Sequence, residues 1–153
     1  MNAQLIFRQA IKKDVPELVD MLADDVLGAQ REDNARPIHH AYKKAFAEIN
    51  DDPNNELIVV EQSKEIIGML QLTFIPYLNR LGSRRCLIEG VRIKSSHRGQ
   101  GIGHDILSWA IERAKQRDCV MIQLTSDKQR GDAIRFYEQL GFIASHEGLK
   151  KNL

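Results

Sequence analysis

The stretch Ile93-Lys-Ser-Ser-His-Arg98-Gly-Gln-Gly-Ile-Gly103-His-Asp-Ile-Leu107 decides how this chain is read. Gly99, Gly101 and Gly103 alternate, which permits unusual backbone angles and keeps side chains out of a ligand's way. Ile102, Ile106, Trp109, Ala110 and Ala114 recur at helical spacing and predict a long helix starting near Ile102. The first turn of such a helix offers unpaired N–H groups and the positive end of its dipole. Arg98 adds a planar, permanently charged fork suited to phosphate oxygens. A strand, a glycine loop, an arginine and a helix N-terminus together make an anion cradle. A Walker A loop needs GxxxxGK[ST], and no such run exists. A dinucleotide fingerprint needs GxGxxG directly after the strand. Here position 104 is His, and four residues separate Ile93 from Arg98.

Working outward, Leu87 to Ile93 closes a strand that begins at Arg85, after a turn around Gly82 and Ser83. Leu57 to Glu61 and Ile66 to Phe74 are apolar, rich in branched residues and joined by a short polar turn, so they predict a hairpin. Leu5 to Arg8 predicts an opening strand. Asp14, Pro16 and Glu17 predict a capped helix start, with Val15, Leu18, Val19 and Leu22 along its buried face. Ile38, Tyr42, Ala45, Phe46 and Ile49 mark a second helix, and the segment from Gly28 to Pro37 between them is polar and irregular. On the far side of the glycine loop, Val120 to Leu124 predicts a buried strand. Asp132 to Leu140 predicts a short helix stopped by Gly141, and Phe142 to Leu153 predicts one or two final strands. The fold class is therefore α/β, a single domain over 1–153 with a mixed, mostly antiparallel sheet flanked by helices.

The 153 residues suffice for a core without disulfides or metals. Apolar residues make up 42% and charged residues 28%, with a formal charge of +1. That balance speaks against a general nucleic-acid or membrane-surface binder. Cys86 and Cys119 lack any metal-ligand or CxxC spacing and read as reduced thiols. No apolar run reaches the length of a membrane span, and the opening residues Met1 to Arg8 lack the layout of a secretion signal. The expectation is a cytoplasmic protein with no metal, no nucleic acid and no membrane partner.

Arg98-Gly-Gln-Gly101-Ile-Gly103 matches Q/R-x-x-G-x-G/A, and Asp132-Ala-Ile-Arg-Phe-Tyr137-Glu-Gln-Leu-Gly-Phe142 is similar to A-x-x-[FL]-Y-x-x-x-G-F. On these two motifs, in order and correctly spaced, the chain resembles the GNAT N-acetyltransferases over its whole length. The segment Arg130 to Tyr137, with Ser145 and His146, more loosely resembles aminoalkylphosphonate N-acetyltransferases. The resemblance implies a GNAT fold with splayed central strands and an acetyl-CoA co-substrate. Arg98, Gly99, Gln100, Gly101, Gly103 and His104 would bind its pyrophosphate, and the Val91 and Ile93 backbone would pair with the pantetheine arm as with another strand.

The implied reaction is direct attack of a small-molecule amine on the thioester in a ternary complex. It requires deprotonation of the amine, polarisation of the carbonyl near Val91 and stabilisation of the leaving thiolate. Family tyrosines at the position of Tyr137 act as general acid, and with an unperturbed pKa near ~10 Tyr137 would be protonated at neutral pH. Glu89 is the candidate base or ammonium anchor. Strand alternation puts it on one face with Val91 and Ile93, burial would raise its pKa, and Gly90 suggests a bulge beside it. Arg130 stands where many members have Asn, and Ser126 is a candidate replacement for that pantetheine contact.

By analogy with the family, residues 24–46 shape the acceptor site; His39, His40 and Tyr42 lie there, the adjacent histidines pointing too far apart to share a metal. Arg84, Arg85, Arg92 and Arg130 read either as solvated arginines or as a binder of an anionic acceptor. A non-catalytic acyl-CoA sensor and a protein or peptide acetyltransferase are the alternative functions, and the family's habit of pairing admits a homodimer.

Overall fold

The computed structural model describes residues 4–153, so Met1 to Ala3, part of the stretch read for a secretion signal, lie outside it. Strands β1 (Ile6–Gln9), β2 (Asn55–Gln62), β3 (Glu65–Pro76), β4 (Arg84–Ile93) and β5 (Met121–Gln123) form one sheet in chain order. All neighbours are antiparallel except β4 and β5, which are parallel. The parallel step needs a crossover, and the long helix α5 (Ile102–Gln116) supplies it. Helices α1 (Val15–Ala23), α2 (Gly28–Arg31) and α3 (His40–Asp51) lie between β1 and β2. A single turn, α4 (Asn79–Gly82), links β3 to β4, and α6 (Ala133–Gln139) follows β5.

Both sheet faces are covered, which explains the nearly continuous apolar runs of the central strands. On one face Ile106, Leu107, Ala110 and Ala114 of α5 pack against Ile58, Val60, Leu70, Leu72, Phe74, Cys86 and Ile88. Phe7 of β1 stacks on Trp109 of α5 with centroids 4.8 Å apart, closing that layer at its edge. On the opposite face Leu18 and Met21 of α1 meet Val59, Ile66 and Met69, while Val15 and Val19 meet Ile38. Tyr42, Phe46 and Ile49 of α3 are half-buried, whereas Ala45 of the predicted stripe is exposed.

The hairpin, the turn before β4, the long helix and the short helix stopped by Gly141 (φ 88°) match the sequence reading. Four expectations are corrected. The described tail from Phe142 to Leu153 carries no strand; it is short, polar and glycine-containing, with Ile143, Leu149 and Leu153 exposed rather than alternating into a core. The strand predicted over Val120 to Leu124 shrinks to three half-buried residues at the sheet edge, with Val120 exposed, because among the described residues no further strand pairs on its outer side. The polar stretch after Gly28 contains one helical turn, α2.

The fourth correction concerns Asp14, which makes no side-chain cap for α1. It ends a 3₁₀ turn, Lys12–Asp14, and its carboxylate turns back toward β1. There it accepts the Ile11 N–H at 2.8 Å and the Arg8 guanidinium at 2.7 and 3.3 Å. Arg8 also donates to Glu61 of β2 at 2.6 and 2.8 Å. The residue expected to start a helix therefore ties that helix to the sheet.

Burial of Asp14, only 5% exposed, pulls its pKa upward, but the hydrogen bonds from Arg8 and Ile11 outweigh burial and hold it below the ordinary 3.8. A carboxylate depressed in the folded state contributes stability above its unfolded pKa and loses it as pH falls through the folded value. Asp14→Asn should cost about 1–3 kcal/mol at neutral pH. The gap between variant and wild type should close as pH falls from roughly 5 to 2, which urea unfolding across that range measures.

Candidate functional site

The site is built where β4 changes its neighbours. Residues Arg85, Cys86 and Leu87 pair with Met121, Ile122 and Gln123 of β5, and the pairing stops there. From Ile88 to Ile93, β4 is paired on the β3 side alone. This divergence is the splay that the family resemblance implies. Within the same stretch Met69 faces Arg92 and Gln71 faces Glu89, so Leu70 of β3 is opposed by two residues, Gly90 and Val91. Gly90 has φ 61°, the left-handed angle of a glycine bulge.

The expected bulge is therefore present, and it overturns the alternation drawn through it. Val91 and Ile93 join Cys86 and Ile88 on the α5 face. Glu89 lies on the other face with Gln71, and Arg92 lies there with Met69. Glu89 is also exposed, so the burial expected for it is absent.

At the end of β4 the chain makes a 3₁₀ turn, Ser95–His97, and enters the glycine loop. Gly99 and Gly101 have φ of 75° and 82°, and a Cβ on either would meet nothing within 4 Å. The amides of Gly99, Gln100 and Gly101 have no hydrogen-bond partner among the described residues, and those of Ile102 and Gly103 are the orphan donors of the first turn of α5. His104 is exposed one residue further on. Space, free donors and a helix N-terminus thus coincide.

The Arg98 guanidinium points elsewhere: Nε donates to the Ile93 carbonyl at 3.0 Å, and Nη2 reaches the Asp24 carbonyl at 2.8 Å and its carboxylate at 3.1 Å. Gly103 serves packing. A Cβ there would stand 3.3 Å from Phe136 Cζ and 3.5 Å from Ile93 Cδ1, so the two sequence motifs meet at this contact.

Tyr137 of α6 is half-buried and packs edge-on to Phe136 and Phe142, with centroids 5.4 and 6.0 Å away. Burial raises the pKa of its phenol, and the nearby charges of Arg130 and Arg92 act in the lowering direction without cancelling it. Those two arginines converge on Asp25, in the connection from α1 to α2. Arg130 donates to Asp25 Oδ2 at 2.6 Å, and Arg92 Nε lies 3.5 Å from the same oxygen. The Gly28 amide donates to Oδ1.

The connection after α1 thus meets the glycine loop and β4 through two aspartates, Asp24 and Asp25. Tyr42 donates to Glu32 at 2.9 Å and accepts the Asp33 N–H, which shapes the segment. His39 precedes α3 and accepts from the Ala41 N–H; both histidine rings are exposed, their centroids 4.4 Å apart. Arg85 belongs to a different place, over the Tyr77 ring and bonded to Gln123. Among the described residues there is no cluster of three or more His, Cys, Asp or Glu that could hold a metal, and no helix long and apolar enough to cross a membrane.

The acetyltransferase (GNAT) family model matches residues 20–142, a span that runs from α1 through the glycine loop to Phe142. The chain belongs to this family. It is 30% identical over 118 residues to an aminoalkylphosphonate N-acetyltransferase of Salmonella typhimurium, covering 75% of this chain and 74% of that protein. A solved structure described as a transcriptional regulator from Bacillus halodurans is 58% identical with TM-score 0.95, covering 98% and 100% of the two chains. A predicted acetyltransferase from Clostridium acetobutylicum, solved with acetyl-CoA, shares the fold at TM-score 0.74 and 23% identity, over 97% and 96% of the chains.

Within the GNAT frame, sequence reasoning missed Asp24 and Asp25. Their signal was electrostatic: two carboxylates at the C-terminal, negative end of α1 are unfavourable unless cations meet them. Gly103→Val should push Phe136 and Ile93 apart, lowering stability by about 1–3 kcal/mol. CoA affinity should fall with it, because the same helix carries the free amides; urea unfolding and CoA titration read the two effects.

Proposed function

We propose that this GNAT protein is an acetyl-CoA-dependent N-acetyltransferase that acetylates the amine of a small molecule by direct attack in a ternary complex. The observation that carries this reading is the adjacency of the loop's unpartnered amides to the one-sided stretch of β4. Acetyl-CoA supplies the activated carbonyl. Gly99, Gln100, Gly101 and Gly103 offer backbone donors for its pyrophosphate, Gly99 and Gly101 leave room for it, and His104 lies beside them. Val91 and Ile93 offer the open β4 edge to an extended arm, as an exposed strand does to a peptide. Arg98 anchors the loop to the end of α1 through Asp24, so its part in cofactor binding is to hold the loop in place.

Tyr137 is the general acid for the departing thiolate. The raised pKa keeps its proton on at neutral pH, available for donation as sulfur charge develops. Glu89, exposed on the same face of β4 as Arg92, receives the acceptor ammonium and takes its proton directly or through water. The 30% identical relative, named for aminoalkylphosphonates, supports a small-molecule acceptor.

A second reading, an acyl-CoA sensor without turnover, is favoured by the description of the 58% identical Bacillus halodurans structure as a transcriptional regulator. Thiol release from acetyl-CoA across an amine library separates the two; CoA binding with no release on any amine supports the sensor. Under the enzyme reading, Tyr137→Phe should lower kcat by about 100-fold and leave the Kd for CoA nearly intact. An unchanged kcat removes Tyr137 from the chemistry.

A further inference from the structure

Arg92 stands out among the cations of this molecule. Its side chain is only 14% exposed, and its buried Nε has no hydrogen-bond partner. Unsatisfied buried donors are rare, and each calls for a reason. The other such atom, Arg85 Nε, has one: that guanidinium lies 3.6 Å over the Tyr77 ring and bonds Gln123. Arg92 has no aromatic support. Its Nη1 donates to the Val91 carbonyl, and its neighbour on the open side is Asp25, at ion-pair distance without a formed hydrogen bond. Arg130 and Arg31 add positive charge to Arg92's surroundings, while Glu32, the other nearby carboxylate, already accepts from Tyr42. Asp25 and Glu32 thus supply two negative charges to three guanidinium groups, and Arg92 Nε is hydrogen-bonded to neither.

The position of the cluster gives it a use. Tyr137 lies within the field of Arg92 and Arg130, so the cluster borders the catalytic tyrosine. Glu89 and Arg92 share a face, opposite Gln71 and Met69, which are two residues apart on β3. Their backbones are thus roughly 7 Å apart along the strand. Two side chains of opposite charge rising from one face at that backbone spacing can reach the two ends of a compact zwitterion.

We propose that Arg92 and Arg130 bind an oxyanion carried by the acceptor amine, and that the Asp25 carboxylate holds this place until the acceptor displaces it. This rests on the acetyltransferase reading above and narrows the acceptor to short amines bearing a carboxylate or phosphonate. The two share planar or tripodal oxygens that a guanidinium fork can grip. The ammonium sits at Glu89, and the oxyanion takes up the donors that Asp25 leaves half-used. Asp25 keeps its bond to the Gly28 amide through Oδ1, so displacement of Oδ2 need not unravel the turn into α2.

The test measures equilibrium binding of 2-aminoethylphosphonate, β-alanine and neutral ethanolamine with CoA present, and thiol release from acetyl-CoA on the same three. The oxyanion-bearing amines should bind about tenfold or more tighter than ethanolamine; which of the two leads distinguishes phosphonate from carboxylate. Asp25→Asn retains an oxygen for Gly28 and removes the competing charge, so it should tighten oxyanion binding about three- to tenfold, seen as a lower KM. Arg130→Gln should reduce the preference over ethanolamine about tenfold, and Arg130→Lys should restore part of it.

A purely structural Asp25 would give the opposite sign, with the Asn variant binding more weakly. That result, or ethanolamine binding as well as the others, overturns the proposal. Absence of thiol release on all three amines counts against the acetyltransferase reading instead, and the binding series still decides the oxyanion site.

Discussion

Backbone donors and acceptors in the middle of a sheet are ordinarily satisfied on both sides, and β4 breaks that pattern after Leu87. A central strand with one bare edge is tolerable where water or a ligand can reach it. The divergence of β5 provides that access. Gly90 then adds the left-handed bulge, which sends Val91 and Ile93 to the α5 layer while leaving Glu89 and Arg92 on the face that α1 and α2 cover. With a straight strand, one of the two charged side chains would have pointed into the apolar layer. The bulge lets one short segment serve two faces: an open backbone edge and apolar packing on one, charge on the other.

The glycine loop works because α5 is fixed at both ends. At its N-terminus the missing side chain of Gly103 lets Phe136 and Ile93 close against the helix. At its C-terminus Arg113 and Arg117 both donate to Glu56 of β2, a carboxylate only 4% exposed, at 2.5 to 2.9 Å. A carboxylate buried that deeply persists because two guanidinium groups share its neutralisation. The free amides at the head of α5 therefore sit on a helix that cannot slide along the sheet. Donors held rigidly in advance cost no reorganisation when an anion arrives.

Much of this was legible in the residues, for identifiable reasons. The glycine loop, the helix after it and the Phe136-Tyr137 helix could be read because each depends on local chemistry: left-handed glycines, a 3.6-residue stripe, a terminal Gly141. The bulge at Gly90 was legible as a possibility of the same kind. Its consequence for Glu89 was not, since alternation is a rule for straight strands and one inserted residue reverses it. Asp14 misled for a related reason. Its spacing to Glu17 fits a cap, but a guanidinium six residues upstream competes for the carboxylate and wins, because Arg8 also serves Glu61 across the sheet. The tail was over-read: Phe142 and Ile143 carry strand propensity, yet propensity without a covered face gives exposed coil.

The least legible part was the pair of aspartates after α1, and their electrostatics explain how the connection that carries them is held. Each sits at the negative end of a helix, an unfavourable place for a carboxylate. Each is kept there by an arginine distant in sequence: Asp24 by Arg98 of the glycine loop, and Asp25 by Arg130 before α6, with Arg92 close by. Burial works against ionisation of Asp25, but the Gly28 amide and the two arginines more than offset it and hold its pKa below the ordinary carboxylate value. The connection from α1 to α2 is thus drawn down onto both sides of the splay by charge rather than by apolar packing, of which Val26, largely exposed, offers little. Apolar contacts would have fixed that cover permanently. Ion pairs at a partly wet site can be exchanged for a ligand of the same sign at small net cost, since the guanidinium groups remain paired throughout.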